Sequence, residues 1–507
     1  MESFSFLFSS PFGLLLTTLI IIGVLKFVAL VHRAYFYWRG KGVPYLPDSL
    51  RSFVMGWKLF LHRLSFTDNS LFVYNYFPDA KYCGMMEFAT PVVLLRDPEL
   101  IKDVLVKDFE IFHDHRNFVA ENLDPLFSKN IFFLRGDRWR EMRNTLSPSF
   151  TASKMKIMFD LVSKCSREFV NYLVDHPELR YTTDVIATTA FGISVNSMKD
   201  PNNEFYTKGI ETSKAFNGFL AMFKFIFMRV FPRFAKMLSM TGFSSKSTAE
   251  FFKRIVGETI KIRDEQGIVR PDMIHLLMQA RDKDSPSVHK MTLDDIVSQA
   301  FIFFLAGFDT SSTLMCFLAH ELAVNRDIQD RVREEVQQHV DENNEISYES
   351  LSKITYMDMV INETLRKYPP VVFTDRFCNK NYKLPPSQPG CKSVIVESGS
   401  LMMIPVYGLH RDPKYFPDPD KFDPERFSEE NKDNIVPYTY LPFGHGPRKY
   451  IGNRFALMET KILMAHLLQK FILKRTEKTV EPVVYDKREL NPTPEGGFWI
   501  GLEKRET

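Results

Sequence analysis

Apolar and polar positions divide the chain into one long apolar run near the N-terminus and a body with mainly helical periodicity. From Pro11 to Val31 the only charged residue is Lys26, and about 20 such residues suffice to cross a bilayer. Basic residues follow the run: His32, Arg33, Arg39 and Lys41. Because positive flanks stay in the cytosol, the pattern predicts a membrane anchor with a short hinge over residues 1–41 and a cytosolic body over 42–507. A buried core helix is the alternative.

The body is predicted to be mainly α with small β-sheets. Apolar residues recur at helical spacing, while short runs such as TPVVLL and KSVIVES indicate strands. The segment Phe216–Met240 is apolar and basic without any acid. It could lie on a membrane with its basic residues at the headgroups, namely Lys224, Arg229, Arg233 and Lys236. A pair of core helices joined by Pro232 explains the same pattern.

The strongest helical signal begins at Thr292, which fits a capping box with Asp295, and continues to Asn325. Its middle is apolar all round, which predicts burial on every side. Within this stretch three polar residues follow one another: Asp309, Thr310 and Ser311. Burying unpaired polar groups costs a few kcal/mol each, so we expect a functional segment here, with Gly307 as a point where a ligand could approach the backbone. A polar kink satisfied by internal hydrogen bonds is the alternative.

A second helix, DMVINETLRKYPP, carries Glu363 and Arg366 three residues apart on one face. Taken alone, the pair is typical of a weak surface salt bridge. The double proline after Tyr368 predicts the end of this helix.

Composition narrows the class of protein. Apolar residues make up 45% and charged residues 25%, and the net charge is only +3. This balance gives no argument for nucleic acid as a partner. The 47 phenylalanines indicate a large apolar interior, membrane contact, or both. The cysteines are few, odd in number and without a C-x-x-C pair, which is typical of a reducing compartment rather than a disulfide framework: Cys83, Cys165, Cys316, Cys378 and Cys391.

The stretch LPFGHGPRKYIGNRFA, residues 441–456, completes a set of motifs that together resemble the cytochrome P450 superfamily of haem-thiolate monooxygenases in their membrane-anchored form. The other motifs are WREMR, AGFDTS, E-x-x-R, DRFC and DPERF, in the family's order. The loop matches F-G-x-G-x-R-x-C-x-G at every fixed position except one, where Tyr450 stands in place of the cysteine. The overall style is similar to insect detoxification enzymes.

The resemblance implies haem b as cofactor and a role for residues in each motif. Asp309 would belong to the proton-delivery network, and Thr310 would steer the protons that split dioxygen. Arg426 would join Glu363 and Arg366 to lock the core near the iron. For one propionate contact, His115, the neighbouring Arg116 is the alternative. The residues expected to contact the haem or its propionates are His115, Trp139, Arg143, Ala306, Arg376, Phe443 and Arg448.

Tyr450 changes the chemistry that the resemblance implies. A cysteine thiolate pushes electron density onto iron and favours O–O cleavage. A phenolic oxygen lies roughly 3.5 Å farther from its Cα than a cysteine sulfur, so the ring would press on the porphyrin unless the loop or the haem moves. Tyrosinate can hold haem iron, as in catalase, but the phenol must first lose its proton. His445 is a conceivable substitute ligand.

Three hypotheses follow for function. The chain is a monooxygenase in which Tyr450 is a variant or a sequence error, a haem protein with peroxidase-like or catalase-like reactivity, or a non-enzymatic binder of apolar ligands or a partner protein. By resemblance, the first would oxidise lipophilic small molecules, xenobiotic or endogenous, at the cytosolic face of the endoplasmic reticulum membrane. NADPH–cytochrome P450 reductase would supply electrons, with cytochrome b5 as a further candidate partner. Arg448 and Lys449 would belong to the basic docking face.

Overall fold

The computed structural model describes residues 11–46, 50–87, 90–116, 124–174, 203–214, 223–224, 227–228, 237, 242, 244–270, 272–282 and 291–505. Helices dominate, as predicted. In chain order the α-helices are α1 (Pro11–Arg39), α2 (Leu50–Phe60), α3 (Phe66–Asn75), α4 (Pro98–Lys102), α5 (Pro125–Ser128), α6 (Gly136–Leu146), α7 (Ala152–Leu173), α8 (Glu204–Lys214), α9 (Lys246–Gln266), α10 (Met273–Asp282), α11 (Leu293–Val324), α12 (Arg326–Gln337), α13 (Tyr348–Leu351), α14 (Thr355–Lys367), α15 (Val406–His410) and α16 (Asn453–Lys470).

Short strands form small sheets beside the helices. They are β1 (Tyr82–Glu87), β2 (Thr90–Leu95), β3 (Thr374–Phe377), β4 (Tyr382–Leu384), β5 (Val394–Val396), β6 (Leu401–Ile404), β7 (Phe471–Arg475) and β8 (Ile500–Lys504). One sheet has the order β1-β2-β6-β3, in which β2 and β6 are parallel and the outer pairs antiparallel. The pairs β4–β5 and β7–β8 are antiparallel ribbons. The prediction of a mainly α fold with small sheets is confirmed.

Helix α11 contributes residues to two large apolar clusters of the core. Its capping box is confirmed: the Asp295 amide donates to the Thr292 hydroxyl (3.2 Å), and the Thr292 amide donates to the Asp295 carboxylate (2.9 Å). The N-terminal half packs with α6, α9 and α10 in one apolar cluster. The C-terminal half packs with α7, α12, α14 and α16 in another. The helix packs against several partners, but the prediction of burial on every side is wrong for its middle, where Leu305, Ala306 and Phe308 are only partly buried. This part of α11 is positioned to form the floor or wall of a site.

In the described part of the chain, one helix is long and apolar enough to cross a membrane by length and composition, and it is α11, half of whose most apolar stretch is buried. The predicted anchor lies instead in α1, which exposes several apolar side chains, for example Leu25 (62%) and Leu14 (58%). Its last turn is tied to the body. The Trp38 indole is fully buried, donates to the Met85 carbonyl (2.7 Å) and lies against Gly84. The anchor and its boundary at residue 41 stay predictions.

Most of Phe216–Met240 lies outside the described residues. Where it is described, Phe223 and Met237 are exposed, at 54% and 70%. Lys224 does not face outward as the membrane hypothesis expected, because its ammonium donates to the carbonyl of Gly242 (2.6 Å).

Candidate active site

The loop Leu441–Gly452, called here the iron loop, adopts a tight turn at its two inner glycines. Gly444 and Gly446 have φ of 67° and 75°, a region that side chains with a Cβ rarely occupy. At Gly446 a Cβ would also stand only 2.1 Å from the Leu105 carbonyl oxygen. The Tyr450 amide closes the turn by donating to the Phe443 carbonyl (2.9 Å). The loop motif therefore has the backbone that its glycines predict.

Tyr450 fills space inside the turn. Its ring is nearly parallel to that of Phe443, with centroids 6.3 Å apart and an interplanar angle of 11°. Its hydroxyl end lies against Gly452, where a Cβ would meet the phenol oxygen at 3.0 Å. Burial, and to a lesser degree the charge of Glu459, raises the pKa of the phenol. The side chain is therefore a neutral phenol directed towards the start of α16.

A cavity of about 40 Å³ lies between the iron loop and α11. His445, the alternative iron ligand, does not line it; this side chain is exposed, and its Nδ1 accepts a hydrogen bond from the Gly446 amide (2.8 Å). The lining residues are Phe150, Met158, Met273, Phe303, Gly307, Ser311, Tyr450, Gly452, Phe455 and Ala456. The sequence-predicted segment of α11 and the iron loop thus face the same cavity.

Arg448 turns inward from the iron loop. Its guanidinium donates to the carbonyls of Leu134 (2.6 Å) and Phe132 (3.1 Å), and it lies 4.4 Å from the Trp139 ring centroid. The side chain is 2% exposed, so the expectation that Arg448 belongs to a docking face is wrong. Lys449, its neighbour, is exposed. Burial lowers the pKa of Arg448 to about 9, and repulsion from Arg376 adds to this.

Arg135, Arg376 and His115 lie close to the Arg448 guanidinium. Arg376 on β3 is 1% exposed, and burial lowers its pKa to about 10. Arg135, just before α6, donates to the His115 carbonyl (3.1 Å). Burial, with repulsion from Arg376, lowers the pKa of His115 to about 4, so the imidazole is neutral at pH 7. We call Arg135, Arg376, Arg448 and His115 the propionate cradle.

His115, not Arg116, faces the cradle. Nδ1 of His115 lies 2.9 Å from the Asp375 carboxylate, and the ring stacks on Phe132. Arg116 is bonded instead to two carboxylates, those of Asp375 and Glu87. Because two acids already neutralise Arg116, the neutral histidine is the residue left facing Arg376 and Arg448.

The propionate cradle has the chemistry of an anion site. Within the described residues, the Nε atoms of all three cradle arginines are buried without a hydrogen-bond partner. A buried donor with no partner costs about 1–3 kcal/mol, and several cationic groups in one place repel each other. The two carboxylates of a haem would accept hydrogen bonds from the unpaired donors and offset the repulsion between the cationic groups. The residues therefore fit the haem that the sequence predicted. Trp139 and Arg143, one turn apart on α6, lie on the same side, since Trp139 underlies Arg448.

The polar segment of α11 has its hydroxyls turned onto the helix backbone. Thr310 donates to the Ala306 carbonyl (2.5 Å) and Thr313 to that of Asp309 (2.8 Å). These bonds pair the hydroxyls within α11, which is continuous from Leu293 to Val324. The alternative of internal hydrogen bonding therefore holds for the threonines, but not for Asp309, whose carboxylate reaches side chains outside the helix.

The Glu363–Arg366 pair is a core feature, so the reading as a surface salt bridge is wrong. Both side chains are 0% exposed, and Nε and Nη2 of Arg366 donate to the two carboxylate oxygens at 2.7 and 2.8 Å. Arg426 approaches the same carboxylate at 3.5 Å, as the motif implied. The Arg366 guanidinium also donates to the His410 carbonyl (3.0 Å). This bidentate arrangement fixes α14 to the chain leading into the iron loop.

Several residues at the site were not predicted. Arg135 completes the propionate cradle, and Asp114 lies 3.5 Å from Arg448. On α16, Glu459 is fully buried, and both its oxygens lack a hydrogen-bond partner within the described residues. The Ser311 hydroxyl lies against it, but burial dominates and raises its pKa to about 8. An acid in an otherwise apolar stretch of α16 was the available signal for Glu459.

The structure brings His115, Arg376 and Arg448 together, with Trp139 against Arg448. Ala306 and Phe443 are not among the residues that line the cavity, and Asp309 contacts Ser213 on α8 instead. The individual roles stay predictions.

The cytochrome P450 family model matches residues 64–498. The chain is 48% identical to cytochrome P450 9e2 of Blattella germanica over 504 residues, which cover 92% of each chain. It is 42% identical to probable cytochrome P450 9f2 of Drosophila melanogaster over 476 residues, which cover 88% of this chain and 91% of the relative. A match of this extent, on a fold and a loop of this kind, shows that the chain belongs to the cytochrome P450 family.

Proposed function

We propose that this chain is a membrane-anchored haem monooxygenase of lipophilic small molecules whose thiolate-type chemistry is impaired by Tyr450. Monooxygenases of its family use haem b and receive NADPH electrons through a reductase. The observation that carries the proposal is the propionate cradle, with its three partnerless buried Nε atoms, beside an intact α11 segment.

Binding of the cofactor would fall to the propionate cradle, since a haem needs far more room than the cavity of about 40 Å³ beside the iron loop. Arg376 and Arg448 would pair with the propionates, and their buried positions make those pairs strong. His115 is neutral at pH 7 and would donate or accept a hydrogen bond there, depending on its tautomer. Bound haem supplies the iron at which dioxygen is activated. Ala306, Phe443 and Gly307 would contact the ring faces.

Proton handling would fall to α11. Asp309 is the carboxylate of the polar segment of α11, and burial raises its pKa. Thr310 holds its hydroxyl on the Ala306 carbonyl, so its oxygen stays free to accept a second hydrogen bond. An acid followed by an alcohol on this helix is suited to moving protons towards the cavity in single steps.

Tyr450 would weaken this chemistry in two ways. Its neutral phenol must lose a proton to bind iron as an anion, and burial opposes that loss. Its ring also occupies the space between Phe443 and Gly452. We therefore expect haem to be held mainly by the propionate cradle, and the iron loop would supply less electron density to it than a thiolate would.

The setting would be the endoplasmic reticulum membrane, with the body on the cytosolic face. The exposed apolar side chains of α1 support this part of the proposal. A lipophilic substrate could then partition from the lipid towards the apolar cavity lining. Exposed Lys449 remains available on the docking face for an acidic reductase surface, and cytochrome b5 would use the same complementary charge.

The test is reconstitution of the full chain and of Tyr450→Cys in vesicles with haem, reductase and NADPH, followed by product analysis on a panel of lipophilic probes. The Tyr450→Cys protein is expected to insert one oxygen atom, with the parent far slower. Turnover of peroxide by the parent alone would favour the altered-reactivity hypothesis. Failure of both proteins to take up haem would favour the non-enzymatic hypothesis.

A further inference from the structure

The carboxylate of Asp309 is shared by three parts of the chain. One oxygen accepts a hydrogen bond from the hydroxyl of Ser213 on α8 (3.1 Å), and the other accepts from the side-chain amide of Asn491. These partners lie 96 and 182 residues away in sequence. Asp309 therefore ties α8 and the segment before β8 to the central helix.

The contact between α8 and α11 is close, which fixes Ser213 in place. A Cβ on Gly209 would stand 3.1 Å from the Phe308 ring and 3.2 Å from the Phe304 ring, so the helices meet at a glycine. Ser213 follows one turn later on the same face of α8. Its hydroxyl reaches Asp309 because no larger side chain holds the helices apart.

Asp309 stands away from the cavity. With about 100° of rotation per residue, it lies about 160° around α11 from Gly307 and Ser311, which line the cavity. Thr310 lies between the two faces. Ser213 on α8 and Asn491 therefore set the orientation of the Asp309 side chain on the face of α11 away from the cavity. Any proton that Asp309 passes towards the cavity starts from that orientation.

Both hydrogen-bond donors to Asp309 are neutral. Burial raises the pKa of the carboxyl, whereas the bonds from Ser213 and Asn491 lower it. Among the described residues no charged side chain contributes to this balance. The ionised state of this buried acid thus depends on two uncharged groups from outside α11, because hydrogen bonds to a carboxylate favour its charged form.

We propose that Ser213 and Asn491 are positioning residues that hold the Asp309 carboxylate ionised and in one orientation on α11. The inference rests on the proposed function for its catalytic consequence, but the positioning itself does not. Loss of either donor leaves a buried acid that takes up a proton more readily. Loss of both should have the larger effect, since each serves a different oxygen.

The experiment is an infrared pH titration of the carboxyl C=O band in the unmodified protein. The band is assigned to Asp309 by its loss in Asp309→Asn. The variants are Ser213→Ala, Asn491→Ala and their combination. We expect the midpoint to rise in each single variant and by about one pH unit or more in the double variant. Ser213→Thr, which keeps the hydroxyl, should restore the parent midpoint. Thr207→Val, which removes another α8 hydroxyl that donates to the carbonyls of Asn203 and Glu204 at the start of the helix, should leave the midpoint unchanged.

A second readout separates this inference from the proposed function. In the Tyr450→Cys background with reductase, the pH profile of kcat should move with the infrared midpoint. A shifted midpoint with an unmoved kcat profile would support positioning but remove Asp309 from proton delivery. An unshifted midpoint in a folded double variant, as judged by its circular dichroism, would overturn the inference.

Discussion

The propionate cradle and the iron loop border one site, yet only the cradle suits the cofactor completely. The cradle presents buried arginine nitrogens without partners, which is the state expected of a site built for an anionic ligand. The iron loop has the family's backbone, with its left-handed glycines in place, but a neutral phenol where an anionic sulfur belongs. In the proposed function, haem binding and reactivity are therefore separable, because different residues would supply them.

The largest expected effect comes from restoring sulfur to the iron loop. Tyr450→Cys should give the dithionite-reduced, carbon monoxide-treated protein a far-red-shifted Soret band that the parent lacks. Monooxygenase turnover should rise by at least about a thousandfold, or about 4 kcal/mol in barrier height. A shifted band in the parent would mean that a thiolate reaches iron from elsewhere, and the comparison between the two regions would fail.

A second prediction breaks the cradle while leaving the iron loop alone. Arg376→Met should weaken haem binding by about 10- to 100-fold, since a buried charged hydrogen bond is worth about 1.5–3 kcal/mol. In the haem-free protein the same change relieves repulsion with Arg448, so the free energy of unfolding should hold or rise. Haem titration and urea unfolding measure the two effects.

The matched control for that experiment is Arg140→Met on the outer face of α6. Arg140 is 41% exposed and pairs with Glu110 at the surface, so both haem affinity and stability should change little. Equal losses of stability in both variants without haem would contradict the repulsion that we ascribe to the cradle.

The pH dependence of stability should differ in sign between the two regions. His115 in the cradle has a folded pKa near 4, below its ordinary value of 6.5. Its contribution to stability is therefore present above pH 6.5 and lost as the pH falls towards 4. Glu459, behind the iron loop, has a folded pKa near 8, above 4.5. Its contribution is lost as the pH rises from 4.5 to 8.

Each group adds a slope of at most about 1.4 kcal/mol per pH unit to the free energy of unfolding. Glu459→Gln should remove the loss of stability between pH 5 and pH 8, roughly the window set by its two pKa values. His115→Asn should remove part of the loss below pH 6.5, the rest belonging to its partner Asp375. Unfolding curves at several pH values test both, and a slope unaltered by Glu459→Gln would show that this acid stays ionised.

The smallest effect is expected from removing only the phenol oxygen. The Tyr450 hydroxyl lies against Gly452 rather than in open space, and its raised pKa keeps it protonated. Tyr450→Phe should therefore leave the ferric absorption spectrum close to that of the parent. Loss of a tyrosinate-to-iron charge-transfer band in the variant would instead identify Tyr450 as a true iron ligand.

Sequence patterns predicted those structural features that depend on residues close together in the chain. The cap at Thr292 and the length of α11 each depend on neighbours within a few residues, and each was predicted correctly. The pairing of Glu363 with Arg366 was also visible as a spacing. Its complete burial was not, since burial depends on the chain around Arg426.

Contacts between distant residues could not be predicted in the same way. Arg135 meets the carbonyl of His115, and Asn491 meets Asp309 182 residues away. No spacing or periodicity signals such pairs, because they form only when separate elements pack. Arg448 was misassigned to a surface for the same reason: a basic residue in a glycine-rich loop looks exposed until Leu134 and Phe132 are known to enclose it.

Trp38 has a mechanical consequence. Trp38 lies in the last turn of α1, and its ring packs against Gly84, where a residue with a Cβ would collide with it. A rigid helix that is packed at one end against the body transmits its tilt to the body. If α1 spans a bilayer as proposed, thicker or thinner membranes would change the tilt of this helix. The whole body would then rotate relative to the lipid surface as the membrane thickness changes.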